Sequence, residues 1–268
     1  MKNPRVMAVL KRFANDIEQA NRILHLSMVG LRYVSKMGPL VKAAADYEKL
    51  SSSDITDTEP DIESVREQAE FAQKEIDSGF PILFSHAAIA CWGFIEATVE
   101  DFVVSLLMTE PNLLTNEQLR RIKIPLAEYE SLEPDERMRL LIKEFARQSS
   151  ADLKQGVSIF ETLLGSVGLS GSVDEILRRD LFEFYHIRNV IVHRSGIADR
   201  RICKACPWLS LSPGQRVIVR SADYERYSWA IHEYFIDILE RDLVRTGTAP
   251  AAAKTKMARS RYPRPSRS

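Results

Sequence analysis

His186-Ile-Arg-Asn-Val-Ile-Val-His-Arg-Ser-Gly196 decides how this chain is read. Its aliphatic residues recur at helical spacing, and Gly196 is a residue type that stops helices. An apolar helix seldom places arginine, asparagine and histidine within six residues of one another. Together they can hold a phosphate and move a proton. At about 100° per residue, Leu181, Phe184, Ile191 and Val192 fall on one side of this helix, with Arg188 in their middle. Tyr185, His186, Asn189 and His193 fall on a second arc, with Asn189 and His193 one turn apart.

A charged Arg188 on an apolar face needs a carboxylate or a bound anion, because an isolated buried charge is expensive. The chain offers Glu96, an equally isolated acid within Cys91-Trp-Gly-Phe-Ile-Glu-Ala-Thr-Val-Glu100. The two helices are expected to pack with Glu96 near Arg188. Such a pair is often only structural, and a histidine at a helix C-terminus often only caps the dipole. Their grouping on the last two turns, beside Gly196, is what raises a functional reading.

Outward from this helix the chain reads as mostly helical. Val6, Val9, Leu10, Phe13, Ile17, Ala20 and Ile23 mark a first helix, and a second is expected from Leu40 to Leu50. Ser51 to Pro60 is polar and acidic and reads as a linker. Asp61 is placed to cap a helix ending near Ile76. The apolar run Ile82 to Met108, with Ser85 as its N-cap, is interrupted by His86, Glu96, Glu100 and Asp101, so we read a core helix rather than a membrane span. Leu113–Ile122, Pro134–Gln148 and Asp152–Leu164 follow as shorter helices. Ser172-Val-Asp-Glu is expected as a capping box that starts the motif helix at Val173. The composition of Ile197 to Arg220 allows a short β-hairpin, and Asp223 to Arg245 is a final helix with Tyr227, Ile231, Tyr234, Phe235, Ile238 and Leu239 on its buried face. The expected class is therefore all-α: residues 1–60 an N-terminal helical extension and linker, 61–245 a helical domain, and 246–268 a disordered basic tail.

Thirty-seven basic residues balance 37 acidic ones, so the whole chain offers no electrostatic funnel for nucleic acid. Local charge remains: Arg194, Arg200, Arg201, Lys204 and Arg216 lie near the motif, and Lys254 to Arg267 carries six cations and no acid. These read equally as RNA contacts or as solvated surface. Three cysteines form no disulfide framework, and Cys203-Lys-Ala-Cys206 is half a zinc site without its other half. No cofactor motif is present, and no metal is expected. Trp92, Trp208 and Trp229 read as core or hinge residues. With no signal-type apolar segment at Met1, we expect a cytoplasmic protein that does not enter the membrane.

Arg188-Asn189-Val-Ile-Val-His193 resembles the R-x4-6-H signature of the HEPN-domain superfamily, in particular its RiboL-PSP/MAE-like members. The surroundings are similar too: an apolar helix with an embedded acid, Trp92-Gly-Phe-Ile-Glu96, precedes the motif helix, and an aromatic-rich helix follows it. The resemblance covers about Asp61 to Arg245. It implies an HEPN-like helical bundle, a homodimer, and a metal-independent endoribonuclease of toxin–antitoxin or phage-defence type that needs no cofactor. Its partners would be RNA and an antitoxin or other protein. Carried over, Arg188 would neutralise the scissile phosphate, His193 would transfer the proton, and Asn189 would orient one of them. Glu96, Tyr185 and Arg194 would support the site, with Arg200, Arg201 and Lys204 as weak RNA contacts. The resemblance also admits a second role, a non-catalytic module for dimerisation or for binding a nucleotide or partner protein.

Overall fold

The computed structural model describes residues 3–50, 62–149 and 155–247. It is all-α. In chain order the helices are α1 (Pro4–Val34), α2 (Met37–Leu50), α3 (Ile62–Asp77), α4 (Pro81–Thr109), α5 (Glu117–Arg120), α6 (Leu126–Glu130), α7 (Pro134–Gln148), α8 (Val157–Gly165), α9 (Glu175–Arg194), α10 (Arg200–Ala205) and α11 (Ser221–Arg245). Short 3-10 turns at Pro111–Thr115 and Pro207–Leu209 complete it.

The central helix is α4. It is buried on every side from Asp101 to Leu107, and before that Phe84, Ala88, Cys91, Trp92 and Ile95 form its buried face. Among the described residues it is the one helix long and apolar enough to cross a membrane, and other helices cover part of it. Along one flank lies α1, running antiparallel: Asn3 donates to Thr109 at one end, and Arg12 pairs with Asp101 further along. Val6, Val9 and Phe13 of α1 enter the same core as α4 and α11, and the Phe13 and Phe235 rings lie 4.6 Å apart. On the other side α9 and α11 close the bundle, with Phe184 and Tyr227 stacked at 4.5 Å.

Local chemistry departs from the sequence expectation at several helix ends. Helix α4 begins at Pro81 after two left-handed residues, Gly79 and Phe80. Proline suits the first helical position because its missing N–H is not needed there. Ser85 is therefore not the N-cap, and its hydroxyl donates to the Pro81 carbonyl within the helix. The capping box expected at Ser172 does not form. Asp174 caps α9 instead, accepting from the backbone of Ile176 and Leu177. A carboxylate two residues closer to the apolar run satisfies the same orphan N–H groups.

The hairpin allowed after α9 is absent as well. Among the described residues there is no strand, only one antiparallel bridge between Ile197 and Arg216, flanked by Ala198 N–H to Gln215 C=O and Val217 N–H to Gly196 C=O, both 2.8 Å. Helix α10 and the Pro207–Leu209 turn fill the space between, and their own hydrogen bonds replace a longer ladder. Leu113–Ile122 divides into a 3-10 turn and α5, because Asn116 breaks it and caps the second piece. The linker 51–60, the Asp61 cap, the start at Asp152 and the tail beyond residue 247 lie outside the described residues.

Candidate functional site

Asp174 starts α9, and its last turn carries the basic residues His193 and Arg194, at the electronegative end of the helix dipole. Ser195 takes the left-handed cap at φ 51° and Gly196 continues it at φ 77°. The Gly196 N–H returns to the Val190 carbonyl. This closure fixes where the His193 turn ends and where the next segment leaves.

Two contacts one turn apart join α9 to α4. Tyr185 lies against Trp92, ring centroids 5.7 Å apart, and Arg188 pairs with Glu96, Nη2 to Oε2 at 3.6 Å. Arg188 also donates from Nη1 to Asn189 Oδ1 at 3.0 Å. Its Nε is buried and makes no hydrogen bond among the described residues. The guanidinium therefore has one loose carboxylate partner, one amide partner and unused N–H donors, the buried Nε among them, with its side chain 25% exposed. This falls short of the fork-to-fork pairing that arginine makes with a dedicated carboxylate.

His193 is exposed, and among the described residues it makes no hydrogen bond, ion pair or ring contact. It stands one turn beyond Asn189 on one face, whereas Arg188 lies about 140° round the helix from it. The fold thus brings together Arg188, Asn189 and Glu96, and leaves His193 at the solvent-facing end. Two residues fall where the wheel did not put them. Val192 is exposed, and His186 is buried, its Nε2 donating to Gln155 Oε1 at 3.1 Å. Burial pushes the His186 pKa down, nearby Arg201 adds to this, and Asp199 opposes it.

The cations downstream gather around the same helix end. Arg194 faces Asp199 at 3.7 Å. Asp199 caps α10 through the Ile202 and Arg201 N–H groups, which, with the two arginines nearby, lower its pKa. Arg200, Arg201 and Lys204 are exposed on α10. The Ile197–Arg216 bridge brings the Arg216 guanidinium over Gly196, where an added Cβ would lie 3.8 Å from its Nη1.

Sequence reasoning missed the buried charge cluster behind this site. Arg226 on α11 reaches Asp180 at 2.9 Å and also pairs with Glu183, both on α9. Tyr227 donates to Glu183 at 2.8 Å, and the Trp208 indole N–H donates to the other Glu183 oxygen. Trp208 is no core residue. It is 37% exposed, with the Arg179 guanidinium 4.4 Å from its ring. The available signal was Asp180 and Glu183 at i and i+3 on the apolar side of α9, the same oddity that singled out Glu96.

Cys206 and Cys91 are fully buried, with thiols pushed by burial up to about 12 and about 11, and all three cysteines are free. Among the described residues no group of three or more His, Cys, Asp or Glu side chains is placed to hold a metal ion. No protein-family model, curated protein or solved structure matches the chain.

Proposed function

We propose that the protein is a metal-independent endoribonuclease of the HEPN type, working as a homodimer in the cytoplasm in a toxin or defence role. The observation that carries this reading is the state of Arg188: a half-buried guanidinium with an unused Nε, held only by Asn189 and a distant Glu96, on the same two turns as an unpartnered, solvent-facing His193. A phosphate would take the free donors, as charge-assisted hydrogen bonds to phosphate oxygens are stronger than the existing contacts. Arg194, Arg200, Arg201, Lys204 and Arg216 would hold the flanking backbone.

In this reading the RNA 2′-OH attacks the adjacent phosphorus, its proton passes to the imidazole of His193, and the P–O5′ bond breaks. A protonated imidazole returns a proton to the leaving 5′ oxygen. The products are a 2′,3′-cyclic phosphate and a 5′-OH. Arg188 stabilises charge on the phosphorane oxygens, and Asn189 and Glu96 hold Arg188 in place. Because His193 lies about 140° from Arg188 round α9, a second copy supplying the missing member to each face suits this chemistry.

The test is cleavage of varied RNAs by purified protein in EDTA, comparing wild type with Arg188→Ala and His193→Ala. Cleavage with cyclic-phosphate ends that both folded variants lose supports the reading. One observation favours a second one: the charge of Arg188 already has Glu96 as a partner, which suits a non-catalytic module binding a nucleotide or an antitoxin-like protein. Absence of cleavage by the folded wild type would favour that module.

A further inference from the structure

Helices α1 and α11 run side by side in opposite directions with a groove between them. Near one end Tyr224 donates to Asn21 Oδ1 at 2.7 Å, and further along the rings of Phe13 and Phe235 lie 4.6 Å apart. The space between the two helices measures about 890 Å³. Phe13, Ile231 and Phe235 are buried and form its floor, and the half-buried Leu10, Ile17, Ile236 and Leu239 form its walls. Ala14, exposed between Leu10 and Ile17, offers only a methyl group and keeps the α1 wall low. At about 1.5 Å per residue the groove runs roughly 22 Å along α11 from Tyr224 to Leu239. A largely apolar space of this volume, with a few polar groups gathered in one place, has the character of a small-molecule site.

The distribution of polar groups along the groove says what fits it. Glu18, Asn21, Tyr224, Glu225 and Ser228 line the end beside the Tyr224–Asn21 bridge, whereas the far end, at Leu10, Phe13, Ile236 and Leu239, is apolar. The charge is of one sign, because Glu18 and Glu225 line the groove and no lysine or arginine does. Glu18 pairs with Arg22 at 2.8 Å, but both side chains are about two-thirds exposed or more, so water screens that pair. Glu225 accepts from Ser221 Oγ at 3.0 Å, and among the described residues no cation pairs with it. His232, midway along, is held toward its neutral form by burial. A molecule with an apolar body and a positive charge at one end matches this arrangement. A partner helix would carry its polar edge along its whole length, which charge confined to one end does not match. We propose that the groove between α1 and α11 binds a small amphiphilic cation, its apolar chain toward Leu10 and Leu239 and its ammonium group beside Glu225. No residue of α9 lines the groove, so the site is separate from the ribonuclease reading and its test is independent of cleavage.

The experiment is calorimetric titration of the full chain at neutral pH with decylammonium below its aggregation concentration, with decanol and decanoate as chain-matched controls. Decylammonium should bind saturably, about twofold or more tighter than decanol and about fivefold or more tighter than decanoate. Glu225→Gln should weaken decylammonium about two- to fivefold and leave decanol unchanged. Ala14→Trp fills the groove from an exposed position and should weaken all binding about tenfold or more, with helical circular dichroism unchanged. Ser228→Phe fills the same space from the opposite wall should the tryptophan variant fail to fold. A wild type that does not bind decylammonium saturably overturns the proposal. So does decanoate binding as tightly as decylammonium, or binding that survives the filling variants. Self-association of the ligand-free chain that Ala14→Trp abolishes would put a second copy in the groove, and overturns it too.

Discussion

Arg226 on α11 donates to Asp180 on α9 at 2.9 Å, with the two side chains 6% and 0% exposed. The same guanidinium pairs with Glu183, so one cation serves two sealed carboxylates and ties the last helix to the motif helix. Removing it would leave uncompensated charge where water does not reach. Arg226→Met should cost about 3–5 kcal/mol in urea unfolding. Arg226→Lys should recover only part of this, because a single ammonium cannot reproduce a fork that spans two acids. Wild-type stability in the methionine variant would mean that the cluster contributes nothing net.

The ion pair between α9 and α4 should behave differently. Arg188 and Glu96 lie 3.6 Å apart with side chains 25% and 39% exposed, so water already screens them. Glu96→Gln should change unfolding free energy by less than about 1 kcal/mol. If Glu96 holds Arg188 in place for RNA cleavage, the same variant should cleave more slowly than wild type and faster than Arg188→Ala.

Gly156 opens α8 at φ +58°, ψ −133°, and an added Cβ would sit 2.8 Å from the Phe182 Cα on α9. The neighbour is backbone and cannot swing aside. Gly156→Ala should therefore destabilise by about 2 kcal/mol or more, from strain and clash together. Gly214→Ala supplies the comparison: φ is +88° but nothing lies within 4 Å, so only the conformational cost applies. Thermal melts of the two variants should differ in that order.

Burial holds the His186 imidazole below its ordinary pKa of 6.5, and Arg201 pushes in the same direction. The unfolded chain then binds the proton more readily than the folded one. Stability is level above about pH 6.5 and falls as the pH drops below it, until the folded pKa is passed. His186→Gln should flatten part of the decline in urea midpoint between pH 7.5 and 5. The remainder belongs in part to His232, whose pKa burial also lowers. An unchanged pH profile in the variant would show that His186 is not its source.

The helical class was legible in the chain because it rests on periodicity, a local property that each helix carries in its own residues. The nearness of Arg188 and Glu96 was legible for a related reason: each is a lone charge on an apolar helix, and few partners were on offer. Helix starts were less so. Ser172 and Asp174 both cap well in isolation, and packing of the α9 face chose between them. The sequence by itself determined the helices, their apolar faces and the order in which they come. Only the tertiary structure decided that Arg226 neutralises Asp180 and Glu183, that Trp208 sits half in water over Arg179, and that Arg216 returns to the end of α9. Those contacts join residues far apart in the chain, and whether a charge is buried depends on which other helices arrive, a quantity that no local pattern contains.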